Sequence, residues 1–308
     1  MTTNTPTISA AAPPVTSPGY TCHDPALPHP LRWDSLALHI PPRREWIMDG
    51  WIPAGQTTLL SGRGGEGKTA VAQHIATCVA LGRSYIDAIL TPGPVLMWAG
   101  EDDETELWRR QLPICDWLDS GIADLTSRLY LYSFADHDMS LAAPACGLLQ
   151  QTPLMRTLRE QVGDLAPRLV ILDNVSRIFG GAEQDRHQVM SFCAWLRAAC
   201  SPAALLLLGH TAKPAESEYS GSTAWENAVR ARLLFGSRPP ESASDDARNE
   251  DESIRYLSRR KFNSPGGRLT HRLEWKDDVL VPTERVVTEA PSRIGRKSRK
   301  LETRRALI

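Results

Sequence analysis

The chain has little of several things that would settle its character at once. Its 308 residues carry a formal net charge of -1. No global field therefore argues for a polyanionic or an acidic partner, and any such argument has to come from local clusters. No apolar run approaches the roughly 20 residues needed to cross a bilayer; the longest, AALLLLG, is far too short. The opening MTTNTPTISAAAPPVTSPGY lacks a basic start followed by a continuous apolar block, so it does not have the pattern of a secretory leader. The six cysteines, Cys22, Cys78, Cys115, Cys146, Cys193 and Cys200, include no C-x-x-C pair. A chain this long does not need a disulfide framework, and reduced thiols, several of them acting as small core residues, are expected. These absences point to the cytoplasm and away from a membrane. No short internal repeat is visible.

What is present is an ordinary apolar fraction of 42%, enough for one large domain or two small ones. Residues 1–30 hold Pro6, Pro13, Pro14, Pro18, Pro25, Pro28 and Pro30 without periodicity and read as a disordered leader. From Gln56 onward, apolar strands alternate with amphipathic helices. TTLLSG, GPVLMWAG, RLYLYSF, RLVILDN and AALLLLGH have the composition of strands. Between them, GKTAVAQHIATCVALG places Val71, Ile75, Cys78 and Val79 on one helical face and stops at Gly82. DETELWRRQL and PLMRTLREQVG are helical, and DRHQVMSFCAWLRAAC places Val189, Phe192, Leu196 and Cys200 on one face. Continuously apolar strands separated by helices predict a mostly parallel α/β sheet with helices on both faces. After about Phe235 the pattern changes. An acidic loop near 239–252 is followed by IRYLSRRKF, GGRLTHRLEW and VLVP, which predict a C-terminal antiparallel strand extension with turns at SPGG and KDD. The expected division is a leader over 1–30, one domain over 31–288 and a basic tail over 289–308.

Gly62 to Thr69, GRGGEGKT, fits G-x-x-x-x-G-K-[ST] between an apolar strand and an amphipathic helix. Gly62, Gly64, Gly65 and Gly67 allow the backbone to curl with its N–H groups turned inward on phosphate oxygens. The helix N-terminus adds partial positive charge. Lys68 is placed to reach the terminal phosphates of ATP, and Thr69 to hold Mg²⁺.

Three strand ends supply polar partners. Asp173 closes RLVILDN at the position of a metal-associated acid. Glu101 follows PVLMWAG, at the mouth of what is expected to be the strand next to the phosphate loop, where a carboxylate can orient and deprotonate water. Asp102 is the reserve for that role, and Asp103 and Glu104 suit the first turn of the following helix. His210 ends LLLLGH, with Thr211 and Lys213 beyond, and can report on the γ-phosphate. Polar groups at one edge of a single sheet occupy the place where such folds bind ligands.

In their order, the phosphate loop, WAGED, VILDNVSRIFGG, GHTAK and YSGSTAWENAVRARLLF resemble the RecA-like P-loop ATPases of the RepA plasmid helicase group, a branch of the hexameric replicative helicases. The resemblance covers about residues 46 to 275. It implies that Glu101 is the catalytic glutamate, Asp173 the Walker B acid and His210 the sensor-strand histidine. It also implies that Arg230 is an arginine finger reaching a neighbouring subunit, with Arg232 as the alternative. It further implies ATP and Mg²⁺ as cofactors, a hexamer and single-stranded DNA as partner. YLSRRKF (Arg259, Arg260, Lys261) and RIGRKSRKLETRR offer phosphate contacts. Two departures stand out: Ala212 occupies a position where many relatives have glycine, and the acidic insertion has no clear counterpart. An accessory ATPase that loads or partitions a partner on DNA needs the same loop. A small-molecule kinase ranks last, because GED, ILDN and GHTAK suit activation of water better than transfer to a hydroxyl.

Overall fold

The computed structural model describes residues 30–88, 90–210, 223–238, 251–262 and 269–286. Most of the leader, Thr211, Ala212, Lys213, Gly221, residues 239–250 of the acidic loop, the SPGG turn and the basic tail lie outside the described residues. Contacts divide the chain into Met1–Arg43 and Arg44–Ile308. In the first unit the described residues form one short helix, α1 (Trp33–Leu36), which buries nothing.

The second unit opens with a small hairpin, β1 (Trp46–Met48) and β2 (Ile52–Pro53), that sequence periodicity did not reveal. The phosphate-loop strand β3 (Thr57–Gly62) and helix α2 (Lys68–Leu81) follow. Then come β4 (Val95–Ala99), α3 (Glu104–Trp117) and β5 (Leu129–Ser133). A second unforeseen hairpin, β6 (Ala142–Ala145) and β7 (Leu148–Gln151), leads into α4 (Pro153–Leu165). Strand β8 (Leu169–Asp173), a short α5 (Val175–Ile178), α6 (Arg186–Cys200) and β9 (Ala204–His210) complete the alternating part. A short α7 (Thr223–Ala228) precedes β10 (Ala231–Gly236), β11 (Ile254–Phe262), β12 (Leu269–Lys276) and β13 (Val279–Val286).

Among the described residues nine strands form one sheet in the order β13-β12-β11-β10-β3-β9-β8-β4-β5. The six from β10 to β5 are mutually parallel, and β11, β12 and β13 extend the sheet antiparallel. This is the α/β, RecA-like P-loop fold. Two strands, β9 and β8, stand between β3 and β4. The expectation that Glu101 follows the strand next to the phosphate loop is therefore corrected: sequence neighbours in a parallel sheet need not be spatial neighbours, because a crossover can skip strands inserted later in the chain.

The run of leucines in β9 shows why the central strands carry no polar alternation. Successive side chains point to opposite faces. Leu206 and Leu208 join the core shared with α2 and α3, whereas Leu205 and Leu207 join the core shared with α4 and α6. Both faces are covered, so both must be apolar.

Helix α2 departs from the single apolar face that its sequence suggests. It is buried along nearly its whole length, including Gln73, His74 and Thr77. Two of these side chains make internal bonds: Gln73 Nε2 donates to Leu107 O and to Gln111 Oε1, each at 2.9 Å, and Thr77 Oγ1 donates to Gln73 O, whereas His74 packs its ring against Tyr85 and Trp117. The helix stops where expected, at Gly82 in the left-handed region (φ 70°), with the Arg83 N–H closing on Cys78 O at 2.9 Å.

Because Leu206 is fully buried at the middle of the sheet, Leu206→Ala is expected to destabilise the chain by about 2–5 kcal/mol. Urea unfolding followed by circular dichroism measures this, and a loss under about 1 kcal/mol would mean that the two-faced core is not the main source of stability.

Candidate nucleotide site

The site lies along the carboxyl-terminal edge of the parallel strands, where β3 runs into α2. Gly62 ends β3 with its α-carbon so close to β10 that a Cβ there would meet Phe235 O at 2.2 Å. No larger residue fits without parting the two strands. Gly65 and Gly67 have φ of 76° and 98°, the left-handed geometry that turns successive N–H groups to one side. Lys68 then opens α2 and is 6% exposed.

The Lys68 Nζ donates to Arg63 O at 2.7 Å and lies 3.2 Å from His210 Nδ1. Burial lowers the Lys68 pKa, opposed by the charges of Asp173, Glu101 and Glu66. The nearby carboxylates help to keep the ammonium charged against the burial penalty, and its poor hydration leaves it few water contacts to give up to an incoming phosphate.

Thr69 Oγ1 donates to Asp173 Oδ2 at 2.6 Å. Asp173 is 5% exposed at the end of β8. Two oxygens placed together beside the phosphate loop fit Mg²⁺, which takes one or two protein oxygens and completes its shell with phosphate and water. Among the described residues no three His, Cys, Asp or Glu side chains group to hold a metal by themselves.

Glu101 reaches the site from the loop after β4. The Gly100 N–H donates to Asp173 O at 2.6 Å, which ties that loop to the end of β8. Asn174, 1% exposed, donates through Nδ2 to Glu101 Oε1 at 2.6 Å, and the same nitrogen is 3.1 Å from His210 Nε2. A neutral imidazole has one acceptor nitrogen. His210 therefore accepts from Lys68 or from Asn174, not from both at once. Asp102, the reserve base, is paired with Arg110 at 2.8 Å and lines the same cavity as Glu101. Asp103 is the N-cap of α3, accepting from the Glu106 N–H, and Glu104 is its first residue.

These groups line one cavity of about 560 Å³ whose walls include Lys68, Thr69, Glu101, Asp173, His210 and, from β12, Trp275. The structure therefore brings Gly65, Gly67, Lys68, Thr69, Glu101, Asp173 and His210 together. It does not bring Arg230 to them. That residue is exposed before β10, its N–H bonded to Thr57 O at the start of β3, so it stands at the opposite edge of the sheet from its own phosphate loop. The alternative, Arg232, is 5% exposed and paired with Glu226 at 2.7 Å, a buried position from which it cannot reach out to a neighbour.

The basic run in YLSRRKF is also less available than its sequence suggests. Arg259 Nη1 donates to Gly50 O at 2.6 Å, and Lys261 Nζ donates to Glu226 O and Val229 O. These two cations hold loops and the end of α7.

Sequence reasoning missed Asn174 and Trp275. Asn174 stood in the quoted ILDN block, directly after the acid, and its amide could have been asked for a partner. Trp275 had no local signal, since only the antiparallel extension carries it to the phosphate loop.

A family model described as an AAA domain matches residues 22–216, more than half of the chain. No curated protein matches it.

The pKa of Asp173 is raised by burial from 3.8 to about 6, the Thr69 bond opposing. An acid with a higher pKa folded than unfolded stabilises the fold fully below its unfolded value, and that contribution is lost as pH rises through the folded value. In metal-free buffer, Asp173→Asn is expected to be more stable than the natural protein at neutral pH and to flatten the stability profile between pH 3.8 and about 6. Denaturant midpoints across that window measure it, and parallel profiles would contradict it.

Proposed function

The chain belongs to the AAA domain family of P-loop ATPases, and from that premise we propose that it hydrolyses ATP as a ring-forming motor on single-stranded DNA, a helicase of the plasmid or phage replication type. The observation that carries this reading is the separation of Arg230 from its own site. Lys68, Thr69, Asp173, Glu101 and His210 converge in one cavity, while the exposed Arg230 stands at the far edge of the same sheet. An arginine so placed can serve a nucleotide only across a boundary between copies.

In this scheme the inward N–H groups of Gly62–Thr69 and the Lys68 ammonium hold the phosphates. Thr69 and Asp173 hold Mg²⁺, which when bound neutralises phosphate charge. Glu101 orients water and takes its proton. Asn174 fixes the Glu101 carboxylate by its 2.6 Å bond. When Lys68 turns to a bound phosphate, the His210 Nδ1 loses its donor; with the ring proton moved from Nε2 to Nδ1, Nε2 accepts from Asn174, so that the end of strand β9 registers occupancy. Trp275, beside Gly67, offers the base a flat apolar surface. Arg230 of a neighbouring copy stabilises charge in the transition state. The resemblance in motif order to the RepA helicase group supports a hexamer and DNA as the track.

The second reading, an accessory ATPase that loads or partitions a partner on DNA, is favoured by one observation. Arg259 and Lys261 are spent on carbonyls within the chain, which removes two of the expected phosphate contacts. A forked duplex separates the readings: strand displacement by the chain alone supports the motor, and activity only with an added protein supports the alternative.

ATP turnover is expected to rise several-fold with single-stranded DNA, and Lys68→Ala is expected to abolish it with the circular dichroism spectrum unchanged. A rate indifferent to DNA would argue against the motor, and full turnover in Lys68→Ala would remove the site assignment. Arg230→Ala is expected to bind ATP normally without hydrolysing it and to regain part of its activity when mixed with Lys68→Ala, since a mixed boundary can pair an intact loop with an intact arginine. Activity that stays at zero in every mixture would exclude an arginine supplied in trans.

A further inference from the structure

The phosphate loop contains a carboxylate, Glu66, flanked by the two glycines of positive φ. This is an unfavourable place for negative charge. The loop must receive a polyanion, and Glu66 stands two residues before Lys68 in the same turn. The structure disposes of that charge in a particular way. The Arg255 Nε donates to Glu66 O at 3.0 Å and pairs with Glu66 Oε2 at 3.1 Å, each side chain 14% exposed. Ser237 Oγ donates to Glu66 Oε1 at 3.2 Å. Arg255 is itself braced, its Nη1 donating to Glu252 O at 2.6 Å and to Ile254 O at 2.9 Å. These groups line a second, polar cavity of about 340 Å³, with Arg63, Gly64 and Gly65 on the loop side and Ser237, Arg238 and Asp251 opposite.

Both anchors come from outside the stretch matched by the family model, which ends at residue 216. Ser237 follows β10 and Arg255 lies near the start of β11. The next strand, β12, places Trp275 against Gly67, where an added Cβ would meet the Trp275 ring at 2.9 Å. Consecutive loop residues are therefore gripped by two strands of the antiparallel extension, Glu66 by Arg255 and Gly67 by Trp275.

We propose that Arg255 is a positioning residue for nucleotide binding. It neutralises Glu66 and draws its carboxylate away from the Lys68 cavity, and it holds the Gly65–Gly67 turn in its phosphate-binding shape before nucleotide arrives. This rests on the reading of Gly62–Thr69 as the phosphate site and extends that site to the C-terminal strands. Two physical effects combine. A loop rich in glycine has many conformations to lose on binding, and a bond to its central carbonyl removes part of that cost in advance. An ion pair beside the loop cancels a repulsion that the entering phosphates would otherwise meet.

The test is titration calorimetry on the full chain, with Mg²⁺ and a non-hydrolysable ATP analogue. Arg255→Ala is expected to weaken binding by about tenfold. Adding Glu66→Gln to that variant is expected to recover part of the loss, because the uncompensated carboxylate is gone. Arg255→Lys keeps the charge without the guanidinium N–H that donates to Glu66 O and is expected to fall between. Loss of a merely structural arginine would lower the denaturant midpoint and leave the affinity of the folded protein unchanged, so midpoints are measured on the same variants. Unchanged affinity in Arg255→Ala, or a double variant as weak as Arg255→Ala alone, overturns the proposal. If Arg255→Ala does not fold, the same comparison is made with Arg255→Lys, alone and with Glu66→Gln, and wild-type affinity in Arg255→Lys alone overturns it. Lys68→Ala titrated alongside keeps the two readings apart. Loss of binding there with full binding in Arg255→Ala refutes only the positioning role, whereas full binding in Lys68→Ala refutes the phosphate site and the proposal with it.

Discussion

Everything in the site depends on the bond between Thr69 and Asp173. A hydroxyl at the start of α2 donates over 2.6 Å to a buried carboxylate at the end of β8, across the intervening strand β9. That contact sets the helix on the sheet at the depth where the loop's N–H groups face open space and the lysine faces carboxylates. It also keeps Asp173 tolerable in a dry environment, since the bond offsets part of the burial penalty that raises its pKa. The same acid anchors the neighbouring loop through its carbonyl, which accepts from Gly100. Thus Glu101 owes its place to Asp173 as well.

The burial of α2 follows from the same demand. A helix that presents a charged terminus to a polyanion must not shift when the charge arrives. Here it is packed by the sheet, by α3 and by the extension, and its Gln73 and Thr77 side chains donate to groups within the chain. Tyr85, just beyond the helix, donates from its hydroxyl to Leu280 O at 3.1 Å, so β13 also braces this end of the core. The antiparallel extension is thereby part of the nucleotide site. It supplies Trp275 as a wall, Arg255 as a brace and Lys261 as the group that holds the end of α7 just before Arg230.

Burial and exposure also sort the arginines. Three of those in or beside β10 and β11 differ in their surroundings. Arg232 is buried against Glu226 and Arg255 is spent on Glu66, whereas Arg230 points outward. Their spacing in the chain does not distinguish them. The strand register does, because it places Arg230 before the first paired residue of β10 and sets Arg232 within the sheet between Leu59 and Lys261.

The amino-acid sequence by itself determined the local chemistry of this protein. The spacing of Gly62, Gly64, Gly65, Gly67, Lys68 and Thr69 specifies an anion-binding turn, because glycine alone tolerates the backbone it needs. The unbroken apolar runs specify a sheet buried on both faces, because any polar residue inside would lack a partner. Asp173 and His210 were legible for the same reason, each being the first polar group after such a run. What only the tertiary structure decided is which distant elements meet. The skipping of β9 and β8 between β3 and β4, the bridge through Asn174, the wall of Trp275 and the pairing of Glu66 with Arg255 are contacts between residues far apart in the chain. Strand order and register set these contacts, and periodicity, a property of neighbouring residues, carries no record of either.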